Sequence, residues 1–143
     1  MRPIHILLVE DNEGDILLTR EALSEANFNN EVTVIRDGDA AINFLQNALA
    51  KNLKKIPELI MLDINLPKVD GKEVLNFIKS HIDLKRIPVV MLTTSSSEVD
   101  IRDAYNNHAN CYITKPVDFN NFFEIIKAIE NFWMSIVKLP TKE

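Results

Sequence analysis

A chain of 143 residues, 46% apolar and 26% charged, has enough material for one globular domain with a real core. A net charge of -5 with no basic patch argues against a nucleic-acid-binding surface. No apolar stretch approaches the ~20 residues of a membrane span, and the lone Cys111 cannot form an internal disulfide, which fits a cytoplasmic protein. The apolar run Ile4 to Val9 is too short for a signal segment, and acidic residues follow at once. No repeat or linker interrupts the chain. It is therefore expected to be a single domain over 1–143, with its core in 4–137 and a frayed tail over 138–143.

Ile4 to Val9 reads as a first strand that ends in the charged turn Glu10-Asp11-Asn12. Asp15 to about Ala26 has the spacing of a surface helix, through Ile16, Leu17, Ala22 and Leu23. Asn27 to Asn30 is a loop, and Glu31 to Arg36 is a second strand. Asp37 or Asp39 can cap a helix over Ala40 to Ala50 that places Ile42, Leu45 and Leu49 on one face. Lys51 to Pro57 is a basic surface loop. Leu59-Ile60-Met61-Leu62 is a continuous apolar run, which suits a strand buried on both faces. It ends on Asp63, and Pro67 closes the turn.

Gly71 to about His81 is a helix with Val74, Leu75 and Ile78 inward. Pro88 to Leu92 is a fourth strand ending at Thr93, and one of the serines over 95–97 caps a polar helix to about Asn107. Its few apolar anchors are Val99, Ile101, Ala104 and Tyr105. Cys111 to Thr114 is a fifth strand ending at Lys115-Pro116. Asp118 or Asn120 starts a last helix reaching about Val137. Strands alternating with helices over short connections predict a parallel sheet covered on both faces.

In such a sheet Glu10, Asp11, Asp63, Thr93 and Lys115 all lie at the carboxyl ends of strands, the edge where open α/β sheets bind ligands. Three carboxylates meeting there repel one another and need a cation to stay ionised. An oxygen donor set suits Mg²⁺ better than zinc. A carboxylate nucleophile, Mg²⁺, a lysine and a hydroxyl are the parts that move a phosphoryl group. Taken singly, each residue fits a cap or a turn. Together, at five matching strand ends, they read as one phosphoryl site.

These residues resemble the receiver domain of two-component response regulators. The resemblance rests on Glu10-Asp11, the Asp63 strand with Pro67 and Asp70-Gly71, Thr93, and Lys115-Pro116, and it spans essentially the whole chain. It implies a flavodoxin-like (βα)5 doubly wound sheet of strand order 2-1-3-4-5, an order the general rule for such sheets already illustrates with a chemotaxis receiver. It implies that Asp63 accepts a phosphoryl group from a sensor histidine kinase. It also implies that Asp11, Asp63 and the backbone carbonyl of Asn65 hold Mg²⁺, with Glu10 acting partly through water. Thr93 and Tyr112 become the switch, Tyr112 swinging inward as Thr93 moves, and Lys115-Pro116 becomes a cis peptide. A narrower resemblance, through Leu92 to Ser95, Asn110 to Pro116, and Phe132-Trp133 with Val137 to Pro140, is to the stand-alone regulators paired with cyanobacterial phytochromes. It implies a phytochrome-type kinase as one candidate partner.

Cys111 reads as an inert packed thiol. His5, His81 and His108 show no ligand spacing, and Gly14, Gly38 and Gly71 form no phosphate-binding loop. The chain is expected to catalyse only its own phosphotransfer and dephosphorylation, to turn over no outside metabolite, and to signal by binding partners. An Asp-nucleophile phosphatase is the enzyme rival. Such enzymes usually need a cap domain or a second acid-base carboxylate just beyond the nucleophile, and Asn65, which stands at that place, cannot serve as the acid-base group. A degenerate receiver that only binds proteins is a third reading, against which the intact acidic set argues. In the last helix, Phe119, Phe122, Ile126, Ile129, Trp133 and Val137 form the expected core stripe. Ile125, Phe132 and Ile136 widen the apolar arc beyond what one sheet face needs. An apolar arc of that width is expected to be an interface, most simply of a two-fold homodimer. The resemblance to the phytochrome-paired regulators implies pairing through the fourth helix, fifth strand and fifth helix, with Ile125, Phe132, Trp133 and Ile136 at the interface and Phe132 nearer the partner than Trp133.

Overall fold

Successive side chains of a strand point to opposite faces, so a strand apolar at every position must be covered on both. The computed structural model describes residues 3–26, 28–51 and 55–140. Its elements are β1 (Ile4–Val9), α1 (Glu13–Ser24), β2 (Asn30–Ile35), α2 (Gly38–Lys51), β3 (Leu59–Leu62), α3 (Gly71–Ser80), β4 (Val89–Thr93), α4 (Glu98–Asn106), β5 (Cys111–Thr114) and α5 (Phe119–Glu130). The five strands are parallel, in the order β2-β1-β3-β4-β5 expected of a flavodoxin-like sheet.

Both faces are filled. Ile6, Leu8, Met61, Val90 and Leu92 pack on α1 and α5 through Ile16, Leu23, Phe122 and Ile126. Leu7, Val9, Ile60, Leu62 and Met91 pack on α2, α3 and α4 through Leu45, Val74, Leu75, Ile78 and Ala104. Each fully buried side chain of this size stabilises the fold by roughly 1.5–3 kcal/mol. The edge strands β2 and β5 are only partly covered.

Caps place the helix starts that deliver the carboxyl-edge loops. The side chains of Asn12, Asp70, Ser97 and Asp118 accept backbone N–H groups in the first turns of α1, α3, α4 and α5. Asp37 accepts from Ala40 N–H at 2.7 Å. Each such cap is worth about 1 kcal/mol.

Several expectations are corrected. Phe119 is 72% exposed rather than part of the core stripe, because it is the first residue of α5 and no element covers that turn. Val99 and Tyr105 do not anchor α4, whose one buried residue is Ala104. The last helix does not run as an α-helix to Val137. After Glu130 it becomes a π-helical segment, Asn131–Ile136, closed by Val137 N–H on the Phe132 carbonyl. The wider turn moves the inward position, so Met134 is buried and Trp133 is only half-buried. The Lys115-Pro116 peptide is trans, as are all peptides among the described residues, in line with the ordinary preference of X-Pro bonds. Pro57, placed in a surface loop, is buried. Residues 52–54 of that loop, Asn27, and residues 141–143 of the tail lie outside the described residues.

Two glycines fix the loop after β3. A Cβ on Gly71 would stand 2.0 Å from the Asp63 carbonyl oxygen, and one on Gly38 would stand 1.8 Å from that of Val69. Gly71 N–H meanwhile bonds the Ile64 carbonyl at 2.8 Å. Backbone cannot yield as a flexible side chain can. Gly71→Ala is therefore expected to lose about 1–3 kcal/mol in urea unfolding and to shift the NMR signals of residues 63–66. Wild-type stability in that variant would show that the close approach is dispensable.

Candidate functional site

β1 delivers Glu10 and Asp11, β3 delivers Asp63, β4 ends in Thr93, and β5 is followed by Lys115. Because the strands are parallel and in register, these residues share one edge. Glu10, Asp63, Thr93 and Lys115 are buried, and Asp11 is exposed. Glu10, Asp11 and Asp63 each offer a carboxylate oxygen, and the three oxygens lie within 4.8 Å of one another. The expected residues are thus brought together.

Lys115 is the hub. Its ammonium donates to Glu10 Oε1, to Asp15 Oδ2 at 2.9 Å and to Asp63 Oδ2 at 2.9 Å. Asp63 Oδ1 accepts the Asn65 backbone N–H at 3.1 Å, so both oxygens of the acidic group are held. Burial pushes the Glu10 carboxyl up to about 7; the Lys115 hydrogen bond opposes this, and the charge of Asp63 adds to it. For Lys115 burial acts downward, but the bonds to Glu10 and Asp15 and the charge of Asp63 outweigh it and raise its pKa. Four carboxylates around one ammonium leave a net charge of 1 − 4 = −3 when all are ionised.

That donor set fits a hard divalent cation. The ligating atoms are all oxygens, no His or Cys belongs to the cluster, and the uncompensated negative charge is what a cation would neutralise.

A second network holds the β4–α4 loop. Thr93 Oγ accepts Ser95 N–H at 3.4 Å, a long bond, and Tyr112 OH donates to the Ser95 carbonyl at 2.8 Å. Ser95 Oγ donates to Asp100 Oδ2 at 2.5 Å, and Lys72 in α3 bridges Asp100 and Asp103. Tyr112 is half-buried and packs on the core shared with α2, α3 and α4, so its ring is inward in this state. Burial raises the Tyr112 hydroxyl pKa, the Ser95 bond opposes this, and the charges of Asp100 and Asp63 add to it.

Sequence reasoning missed Asp15, Ser95, Asp100 and Lys72. Acidic residues in a first helical turn are common for electrostatic reasons alone, which hides Asp15. The others are joined across elements, and no local spacing reveals them. Of the remaining singled-out residues, Cys111 is a half-buried free thiol whose pKa burial raises, as an inert packed cysteine requires. His5 is a buried strand histidine whose Nε2 pairs with Thr33 Oγ1 at 2.9 Å. Among the described residues no helix is long and apolar enough to cross a membrane.

Comparison with known proteins agrees with this geometry. The sequence profile of the response regulator receiver domain matches residues 6–127. The chain belongs to that family, whose members work in two-component phosphorelay signalling. It is 47% identical over 138 residues to response regulator Rcp1 of Synechocystis, spanning 96% of this chain and 94% of that one. The Mn²⁺-bound crystal structure of Rcp1 superposes with a TM-score of 0.92, covering 97% of this chain and all of the chain in that structure. The phosphorylated cyanobacterial phytochrome response regulator RcpA also gives 0.92, at 48% identity, covering 98% of this chain and all of RcpA. A probable methanogenesis regulatory protein of Methanothrix harundinacea, FilR2, is 40% identical over 96% of this chain and 88% of its own.

A cation that needs ionised Glu10 must compete with a proton. With Glu10 titrating at about 7, affinity for a divalent cation is expected to fall as pH falls, by about tenfold at most between about pH 8 and about pH 6. Calorimetric titration with Mg²⁺ in buffers of different ionisation enthalpy would count the protons released. Glu10→Gln should flatten the dependence; an equally steep profile in that variant would assign the proton elsewhere.

Proposed function

We propose that this receiver accepts a phosphoryl group on Asp63 from a phosphohistidine of a sensor kinase, in a Mg²⁺-dependent reaction. The observation that carries the reading is the Asp63 carboxylate, buried at a strand end and held between Lys115 on Oδ2 and Asn65 N–H on Oδ1. That grip orients a charged oxygen that little water can solvate, which is what a nucleophile needs. A carboxylate oxygen of Asp63 forms a bond to phosphorus, the phosphorus–nitrogen bond to the donor imidazole breaks, and its electron pair returns to that nitrogen.

Lys115 then balances charge on the transferred oxygens. Asp11, Asp63, the Asn65 carbonyl and, partly through water, Glu10 would hold Mg²⁺. When bound, the ion neutralises the carboxylates and the phosphoryl oxygens. Thr93 supplies a hydroxyl to the phosphoryl group. Because Ser95 bonds Thr93 through its N–H and Tyr112 through its carbonyl, loss of the long Thr93 bond as its hydroxyl turns to the phosphoryl group frees Ser95 and is felt at Tyr112. The chain turns over no outside metabolite in this reading, since Asn65 has no acid-base group to offer in the position a phosphatase would need one.

The apolar rim supports a protein donor. Leu17 in α1, and Val117 and Phe119 just after Lys115, are exposed. The likeness to RcpA supports a phytochrome-type kinase as that donor, working with this chain in the cytoplasm. For output we propose a homodimer through α4, β5 and α5. Phe132 and Ile136 are exposed and offer the apolar contact, while Ile125 and Trp133 are partly claimed by the core beneath them. Phe132 also stands edge-on to Trp133, at 5.3 Å between ring centroids, which fixes it at the surface.

Two outcomes test this reading. Incubated with Mg²⁺ and a small phosphodonor, the wild type should gain the mass of one phosphoryl group and Asp63→Asn should gain none. Wild-type labelling of Asp63→Asn would move the acceptor elsewhere. Light scattering over a concentration series should show a wild-type dimer that Phe132→Glu weakens by at least about tenfold. A wild type that stays monomeric, phosphorylated or not, would remove the dimer; an undiminished dimer in Phe132→Glu would relocate its interface.

A further inference from the structure

Lys115 carries three N–H donors, and Glu10, Asp15 and Asp63 occupy all three. Two of those partners come from strand ends. The third, Asp15, comes from the first turn of α1. The three carboxylates differ in what they lose if the ammonium leaves. The side chains of Glu10 and Asp63 are 4% and 7% exposed, whereas that of Asp15 is 20% exposed. Water can re-solvate Asp15 and can scarcely reach Glu10, so the Asp15 bond is the cheapest to break.

Asp15 is also fixed without the lysine. Its N–H is capped by Asn12 Oδ1 at 3.0 Å, and its carbonyl accepts the Thr19 hydroxyl at 2.7 Å. Its backbone therefore stays with α1, and its carboxylate can follow the ammonium only as far as its two side-chain torsions allow. On the reading that Asp63 is the phosphoacceptor, the phosphoryl oxygens stand two bonds further from the strand end than the carboxylate oxygen that carries the phosphorus. An ammonium that follows them must surrender a partner.

We infer that Asp15 is the releasable partner of Lys115, a positioning residue that holds the lysine in the unphosphorylated state and competes with the phosphoryl group for it. Glu10 stays paired throughout, as its burial demands. The strength of the Asp15–Lys115 bond then sets how firmly the phosphorylated state is held.

The test measures the full chain, at saturating Mg²⁺, with beryllofluoride as a phosphoryl mimic that cannot hydrolyse. Mg²⁺ affinity is measured separately for each variant so that saturation holds throughout. Removing the competing charge in Asp15→Asn is expected to tighten beryllofluoride binding roughly three- to tenfold and to slow loss of phosphate from phosphorylated Asp63 by a similar factor. Asp15→Glu restores the carboxylate and should return both values toward wild type, which a packing role at residue 15 would not do. Unchanged or weaker beryllofluoride binding in Asp15→Asn, with the wild type binding normally, overturns the inference alone. Slower phosphate loss with unchanged beryllofluoride affinity also overturns it, by placing Asp15 on the hydrolytic water. A wild type that neither binds beryllofluoride nor accepts phosphate overturns the assignment of Asp63 and this inference with it.

Discussion

The buried ammonium of Lys115 is the interaction on which the functional edge depends. Removing a lysine from water costs several kcal/mol, and only close carboxylates return it. Here the returns come from β1, α1 and β3, so one side chain ties three elements at the carboxyl edge. The arrangement is not a neutral pair. Four carboxylates against one lysine leave charge that the fold itself does not balance, and burial pushes the Glu10 carboxyl up to about 7 against the pull of the Lys115 bond. A site built for stability alone would be better filled with apolar groups. This one is left short of positive charge, the condition under which a cation and a phosphoryl group change its state.

The rest of the scaffold serves to hold that edge still. The two apolar faces of the sheet fix the strand ends, because a one-residue slip in a central strand would disrupt close packing on both faces at once and draw the polar residue at its end toward the core. The glycine contacts do the same for the loop after β3. Gly71 lies against the Asp63 carbonyl and Gly38 against that of Val69, so two helix starts clamp the backbone that carries the acceptor. The carboxylate of Asp63 is thus placed by packing, and its orientation by Lys115 and the Asn65 N–H.

What the sequence disclosed follows from how each feature is encoded. The strands were legible because burial on both faces leaves unbroken apolar runs, and the alternation with helices implied a parallel sheet. In such a sheet, charges at strand ends converge, which is why Glu10, Asp11, Asp63, Thr93 and Lys115 form one group from the sequence alone. Asp15 could not, because a first-turn acid looks the same whether it serves the helix dipole or a distant lysine. The π-helical segment was hidden because it changes which carbonyl Val137 reaches, not which residues are apolar. Phe119 fits the α-helical stripe by spacing and still faces solvent, since spacing assigns a face and says nothing about whether a neighbour covers that turn. The trans Lys115-Pro116 peptide departs from what the family resemblance implied, and nothing in the local sequence could have decided it.

Ser95 explains how a local change of charge can become a change of shape. Its backbone meets Thr93 on one side and Tyr112 on the other, and its hydroxyl meets Asp100 in the first turn of α4. Asp100 is in turn held by Lys72 from α3, the helix that starts beside Asp63. The weakest link in this chain is the 3.4 Å bond to Thr93, while the bonds to Tyr112 and Asp100 are 2.8 and 2.5 Å. If the Thr93 hydroxyl turns to a phosphoryl oxygen, that long bond is the one given up, at little cost. The stronger bonds then carry the loop, the tyrosine and the start of α4 together as a unit. The Ser95 network thereby ties the end of β4 to β5 and to the first turn of α4.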